Sequence, residues 1–449
     1  MKTTNKKSKT RDMTTGSIPL HLILFSLPLL LGNIFQLLYN TVDTWVVGNY
    51  VSTQALAAVG ATTPIVNIMV FFFNGLSIGA GVVIARNYGA KDLEKLHISI
   101  ETTMAMTFIL SVLFSIIGVI FIRPMLHLIS TPEDVIQDAS TYLRIYFAGI
   151  AGLLIYNMAS GILRAVGDTK RPLYFLMFTS ILNIILDLAF VIIFKMGIAG
   201  VGLATIISQI ISAIGVITLL TRSNDIYKLT WNDCKIQLPM LKQILSIGLP
   251  TAIQSMITSF SNAFVQSYIN VFGSSCVAGW SCYGKLDQFA FLPMSSLANA
   301  ATTFVGQNIG ANKEERANKG TFITIGMTIG ITLFTSILLF VYTPQAISIF
   351  SKDASVIQYG VMFLRTNIFF LCCNCINHVL AGSLRGRGDS KAPMFIMIFS
   401  FVILRQIYLF IMTHFISNTP RMVGLGYPLG WVFCCIIEVS YFYFHYKRQ

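Results

Sequence analysis

Leu163-Arg164-Ala165-Val166-Gly167-Asp168-Thr169-Lys170-Arg171-Pro172 and Leu384-Arg385-Gly386-Arg387-Gly388-Asp389-Ser390-Lys391-Ala392-Pro393 are one stretch written twice, 221 residues apart. The same shift carries Asn87-Tyr88-Gly89-Ala90 onto Asn308-Ile309-Gly310-Ala311 and Val135-Ile136-Gln137 onto Val356-Ile357-Gln358. It also carries Tyr142-Leu143-Arg144 onto Phe363-Leu364-Arg365, and a shift of 222 carries Pro28 onto Pro250 and Asn40 onto Asn262. Any one agreement could arise by chance in apolar sequence. The ordered set marks a duplicated chain.

The duplicated unit belongs in a membrane. Of 449 residues 55% are hydrophobic and only 11% charged, whereas a soluble domain is about 25% charged. Repeated apolar runs of about 20 residues or more define an all-α polytopic membrane protein. Twelve spans are expected, near 18–46, 54–84, 98–122, 135–162, 172–194, 197–221, 242–270, 276–305, 319–342, 355–381, 392–415 and 424–445. This gives a tail over 1–17, an N-terminal six-helix bundle over 18–221 and a linker over 222–241. A second six-helix bundle over 242–445 and a short tail over 446–449 complete the chain. An even number of spans per repeat keeps both halves in the same orientation, so their pseudo-symmetry axis runs along the membrane normal. Such a pair implies a central cleft and alternating access. A duplicated scaffold that transports nothing is the rival from another class.

The net charge of +13 does not indicate nucleic acid, because the basic residues fall in short clusters between apolar runs. With the N-terminus in the cytoplasm, the inner segments hold 23 Lys or Arg; the outer loops hold four, Arg123, Lys195, Lys352 and Arg421. Both termini are therefore expected in the cytoplasm. Residues 1–17 followed by the apolar run from Ile18 resemble a signal peptide, but the run is too long and no cleavage site follows, so an uncleaved first helix is expected. The eight cysteines do not form a secreted disulfide pattern. Cys372, Cys375 and His378 share a helix face without a zinc-knuckle spacing, which favours packing over metal binding. No Gly-x-x-x-x-Gly-Lys-[Ser/Thr] loop, nucleophile elbow or His-Glu-x-x-His motif is present, so neither ATP nor a cofactor is expected to drive the chain, and an ion gradient is.

Carboxylates inside spans locate the chemistry. A buried charge costs roughly 2.5–3.5 kcal/mol even on insertion scales. Asp43 lies near the outer end of the first span. Asp187 lies about 22 Å along the fifth, at 1.5 Å per residue, so both reach the outer half of the membrane. Asn183 shares a helix face with Asp187, and Thr205 falls at similar depth. These four side chains offer oxygen ligands to Na⁺ or carboxylates to a proton. Their counterparts Val265, Tyr408 and Leu404 carry no carboxylate, so the duplicated architecture does not require one.

Other intramembrane groups are weaker candidates. Arg144 and Arg365 recur at the repeat spacing, as packing anchors or snorkelling cations. Lys285 and Asp287 are expected to neutralise each other or to form a second relay. Arg405 has no evident partner, and Glu101 and Glu438 read as ordinary span-end or bundle residues. Phe35, Tyr39, Phe147, Tyr156, Met158, Met256 and Tyr268 are candidate walls for a bulky amphipathic cation. Pro28 is a candidate bending point.

Ser26-Leu27-Pro28 with Val42-Asp43-Thr44, Asn87-Tyr88-Gly89-Ala90, Arg164 to Asp168 and its echo, Asn183-Ile184-Ile185-Leu186-Asp187, and Phe304-Val305-Gly306-Gln307-Asn308-Ile309-Gly310-Ala311 together resemble the multidrug and toxic compound extrusion (MATE) family. The resemblance covers nearly the whole chain. It implies twelve helices in two six-helix bundles and export of cationic or amphipathic drugs in exchange for H⁺ or Na⁺. It further implies a functional monomer among the lipids of a bacterial cytoplasmic membrane. In the branch related to DNA-damage-inducible protein F (DinF) the coupling site matches Asp43, Asn183, Asp187 and Thr205, with Pro28 bending and Tyr39 nearby. Another branch uses acids in the seventh and tenth helices, where this chain has Ser259 and Asn374. A flippase for a lipid-linked precursor is the nearest rival, and it would need a strongly cationic cavity.

Overall fold

A computed structural model describes residues 10–129, 131–223, 225–230 and 235–447. The Lys-rich start of the chain, residues 231–234 of the expected linker and the last two residues lie outside the described residues. All regular structure among the described residues is helical. The first half contains α1 (Ile18–Tyr50), α2 (Thr53–Gly89), α3 (Leu93–Leu128), α4 (Glu133–Ala148), α5 (Ile150–Ala165), α6 (Lys170–Leu188) and α7 (Gly197–Arg222). The second contains α8 (Leu238–Asn270), α9 (Ser274–Gly310), α10 (Glu314–Val341), α11 (Thr343–Ser348), α12 (Ala354–Asn367) and α13 (Leu371–Gly386). It closes with α14 (Lys391–Ile398), α15 (Arg405–Ile411), α16 (Pro420–Gly424) and α17 (Gly426–Phe442).

Each of the twelve expected stretches is helical. Among the described residues ten helical segments are individually long and apolar enough to cross a bilayer. The pair α4–α5, bent by 48°, makes an eleventh. The bend falls at Gly149, where a Cβ would meet the Ile206 side chain at 2.1 Å, so the chain turns where only hydrogen fits beside α7. Helix α9 is long enough at 37 residues but is interrupted by polar side chains, including Lys285, Asp287 and Gln288. This is a multi-pass, all-α membrane fold.

The repeat is reproduced in hydrogen bonds. After α5, Gly167 N–H donates to Arg164 O (2.9 Å) and Asp168 N–H to Leu163 O (2.9 Å). After α13, Gly388 N–H donates to Arg385 O (2.8 Å) and Asp389 N–H to Leu384 O (2.9 Å). Gly167 and Gly388 hold φ of 84° and 86°, left-handed helix caps that favour glycine. Asp168 and Asp389 then accept from the backbone N–H three residues on, Arg171 (3.2 Å) and Ala392 (3.1 Å), and start the next helix.

The chain divides into two compact units. One comprises residues up to Asp12 with Leu27–Leu249; the other comprises Met13–Ser26 with Pro250–Gln449. The divisions fall inside α1 and α8, beside Pro28 and Pro250. The first unit is organised around Phe73, Leu76, Leu143, Phe147 and Leu154, the second around Trp280, Tyr283, Met294, Phe363 and Trp431.

Candidate functional site

In the first unit α6 packs along α7. Helical spacing puts Ser180, Asn183 and Asp187 on one stripe of α6, and Thr205, Ser208 and Ser212 on one stripe of α7. The two stripes meet: Ser212 Oγ donates to Thr179 Oγ1 at 2.8 Å. Farther along, Tyr39 of α1 joins Leu176, Thr179, Ser180, Asn183, Thr205, Ser208 and Gln209 around a cavity of about 10 Å³. That is about the room one water needs. Thr205 Oγ1 donates to its own helix at Val201 O (3.0 Å), which leaves its lone pairs turned outward.

Above this cavity the carboxyls of Asp43 and Asp187 face each other. Asp187 has no exposed surface, Asn183 has 2%, and Asp43 is half-buried. Their polar atoms are left open. Asp43 Oδ1, both Asp187 oxygens, both ends of the Asn183 amide, and the Ser180 and Ser208 hydroxyls form no well-shaped hydrogen bond with the protein. Orphans of this kind are rare in native interiors, and seven on one track call for an occupant. Two carboxyls in low dielectric cannot both stay ionised without a compensating cation. The set of carboxylate, amide and hydroxyl oxygens suits a hard monovalent cation or a proton. Immediately after Asp187 the helix widens into a π-helical turn, Ala189–Ile193, a distortion common at functional sites.

The structure thus brings together Tyr39, Asp43, Asn183, Asp187 and Thr205. It adds residues that the sequence did not single out. Tyr142 of α4 stands beside Tyr39, Asp43 and Asp187, stacked on Tyr146 at 6.2 Å, and Gln36 stands beside Tyr39. The signal for Ser180 and Ser208 was present as a polar stripe in register with Asp187. Tyr142 carried none, because α4 meets the site only through tertiary packing.

Among the remaining candidates Tyr156 stands near Tyr39, and the others scatter. Pro28 lies inside the unbroken α1, and Phe35 is half-buried nearby. Phe147 is 1% exposed and its ring fills the space against Gly118, so it packs the core. Tyr156 donates to Pro172 O at 3.1 Å, and Met158 is buried. Met256 and Tyr268, half-buried, belong to the second unit. Arg144 is exposed; Arg365, also exposed, lies over the Phe340 ring at 5.2 Å.

The expected neutralisation of Lys285 by Asp287 is not found. Two residues apart, they point to different sides of α9. Lys285 Nζ lies over the Phe350 ring at 5.2 Å, while Asp287 stands beside Tyr283. Arg405, without an evident partner in sequence, has several. Its Nη2 donates to Ser261 Oγ (2.7 Å) and Asn262 Oδ1 (2.9 Å), and its guanidinium lies 4.7 Å from the Tyr427 ring centre. Among the described residues no three His, Cys, Asp or Glu side chains gather as metal ligands; Cys375 Sγ lies 3.1 Å from Cys372 O, as packed helix cysteines do.

The MatE family profile matches residues 28–189 and again 250–411, once in each half. The chain belongs to the MatE family. The two matches begin at Pro28 and Pro250, the prolines that the repeat pairs. This MatE protein is 29% identical over 445 residues to the probable multidrug resistance protein YpnP of Bacillus subtilis, with 98% of each chain covered. It is 27% identical over 456 residues to the probable multidrug resistance protein YoeA of the same organism, covering 100% of this chain and 98% of YoeA. Among solved structures it is similar to a multidrug resistance MATE family transporter in its outward-facing conformation, with a TM-score of 0.92, 23% identity and 99% of each chain covered. A MATE protein in a bent conformation gives the same score over 97% of each chain, and one in a straight conformation over 99%.

Proposed function

We propose that this MatE protein is a secondary antiporter that exports amphipathic, often cationic, organic compounds in exchange for H⁺ or Na⁺ by alternating access. It is not an enzyme. In this reading it belongs to the DinF-like branch. Its twelve spans form two six-helix bundles over 18–221 and 242–445, with α9 as the span that apolarity alone does not count. It works as a monomer in the bacterial cytoplasmic membrane with both termini in the cytoplasm.

What carries the reading is the Asp43–Asp187 pair with Asn183 and Thr205 in one unit, where the other has Val265, Tyr408 and Leu404 in place of Asp43, Asp187 and Asn183. A cation entering there removes charge repulsion and fills the open oxygens. It therefore stabilises whichever helix packing closes around it, and only such differential binding can move a conformational equilibrium. Each charge crossing with the membrane potential supplies about 2.3 kcal/mol per 100 mV. The flippase alternative would need a free basic cluster, and the span cations of the second unit are engaged: Arg405 by Ser261 and Asn262, Lys285 over Phe350 and Arg365 over Phe340.

The test is transport of ethidium in liposomes under a pH gradient and, separately, a Na⁺ gradient. One gradient should drive uptake against the ethidium concentration. Ethidium flux indifferent to both would sink the antiport reading.

A further inference from the structure

The second unit contains its own buried acid, which the coupling reading leaves unused. Glu438 on α17 has no exposed surface, and neither of its carboxyl oxygens meets a hydrogen-bond donor. The charge that acts on it comes from Arg385, on the adjacent helix α13. Arg385 does not touch it. Its Nη2 donates instead to Gln254 Oε1 at 3.0 Å, and its Nε is unpartnered. The Gln254 amide is in turn anchored on Met397 Sδ at 2.6 Å.

The repeat shows that half of this arrangement is unnecessary to the fold. Arg385 is the counterpart of Arg164, so the basic residue was duplicated. At the same shift of 221 Glu438 falls on Ile217, apolar and half-buried, so the acid was not. A structural ion pair should be in contact, since leaving either charge unpaired costs several kcal/mol. Here a carboxyl with empty oxygens stands across from a guanidinium that already has a neutral holder.

We propose that Glu438 is a second proton-binding site of this protein, with Arg385 as its counter-ion and Gln254 as the group that holds Arg385 when the acid is neutral. Loss of the proton leaves Glu438 carboxylate opposite Arg385 guanidinium, and the pocket passes from one positive charge to none. Both states are accommodated, which a binding site needs and a packing contact does not. The other ionisable groups around Glu438 can be named. On α17 these are the Cys434 and Cys435 thiols; on α13 they are Cys373 and, beyond Arg385, His378 against the Phe291 ring. Arg405 on α15 is held by Ser261 and Asn262. At the end of α17, Asp389 accepts from Tyr441 at 2.7 Å, and Arg387 pairs with Glu314 at 2.9 Å. None of these competes for the Glu438 oxygens.

The proposal does not rest on the role assigned to Asp43 and Asp187, and its readout needs no transport. Purified full-length Asp43→Asn/Asp187→Asn protein is compared with the same variant carrying Glu438→Gln by infrared difference spectroscopy across pH. Above about pH 7, where exposed carboxyls are ionised, the carbonyl absorption of protonated acid should be larger in the double variant than in the triple. Identical spectra overturn the proposal. Carboxyl-¹³C glutamate in the double variant gives the same test with residue 438 intact: the band should shift, and a band that stays in place overturns the proposal. Arg385→Gln should carry the titration to more alkaline pH, and an unmoved titration overturns the counter-ion assignment.

Discussion

The Asp187 carboxyl, without exposed surface, is turned onto the carboxyl of Asp43, and no basic side chain is among the groups acting on either. Two acids turned onto each other should behave as one unit. Asp43→Asn and Asp187→Asn are each expected to lower gradient-driven ethidium exchange by at least about tenfold, with the double variant no worse than the worse single. Thermal unfolding in detergent should stay near the wild-type midpoint, because asparagine keeps the shape of the side chain and removes a charge that no basic group offsets. Multiplying losses in the double variant would mean that the carboxyls act separately.

Ser208 tests the cavity between α6 and α7. Its hydroxyl is buried and unpartnered, so Ser208→Ala should leave stability within about 1 kcal/mol of wild type or raise it. Ser208→Val fills a space of about 10 Å³ and should slow exchange more than Ser208→Ala does. Measured initial rates that rank alanine below valine would remove the cavity from the path of the coupling ion.

How far the sequence could be read depended on which contacts are local. Asp43, Asn183 and Asp187 were legible because helix rise and periodicity place them, and the missing counterparts in the second repeat singled them out. The recurrence of Gly167 and Gly388 in equivalent caps followed from the duplicated motif. Tyr142 was not legible, since only the approach of α4 brings it to the pair. Glu438 reads as an ordinary span-end or bundle residue; its burial follows from the packing of α17 on α13, which no local pattern encodes. Lys285 and Asp287 are neighbours in sequence but not in space, because residues two apart on a helix diverge.

The paired caps give a conformational prediction. Gly167→Ala and Gly388→Ala each place a side chain at a φ near +85°, at a cost of roughly 1–2 kcal/mol. A Cβ at Gly167 would also lie 2.4 Å from Arg11 O, so Gly167→Ala should cost more than the backbone term alone. Thermal midpoints of both variants check this, and a Gly167→Ala midpoint equal to wild type would deny the contact.

The loop after α7 should respond to acid. Arg171 joins Asp168 (3.2 Å) and Asp225 (3.7 Å) and donates to Tyr227, whose hydroxyl donates to Asp225 Oδ2 at 2.7 Å. Burial alone would push Asp225 up, but hydrogen bonds from Tyr227 and Ser223 and the Arg171 charge hold it below the usual carboxylate range. Burial also pushes the Tyr227 hydroxyl up to about 12, so it remains a donor throughout. A depressed carboxylate stabilises the folded loop above the ordinary Asp value of about 3.9, and the gain is lost as pH falls through its lowered value. Acid-active protease should therefore cut within 225–230 faster as pH drops below about 4. Asp225→Asn should be cut readily at neutral pH as well, and equal resistance of the variant would refute the link.

Arg405 separates the two units functionally. Arg405 is 3% exposed, and its guanidinium donates to Ser261 and Asn262 and stacks on Tyr427, so its planar fork is used on both its edge and its face. Lysine keeps the charge but neither the fork nor the stacking surface. Arg405→Lys should therefore destabilise the protein, and Arg405→Leu should cost about 1–3 kcal/mol through the loss of two hydrogen bonds from a charged donor. Neither variant should change which ion drives exchange, because the open carboxyl pair lies in the other unit. If folded Arg405 variants exchanged ethidium without dependence on either gradient, coupling would run through the second unit and its assignment to Asp43 and Asp187 would fall.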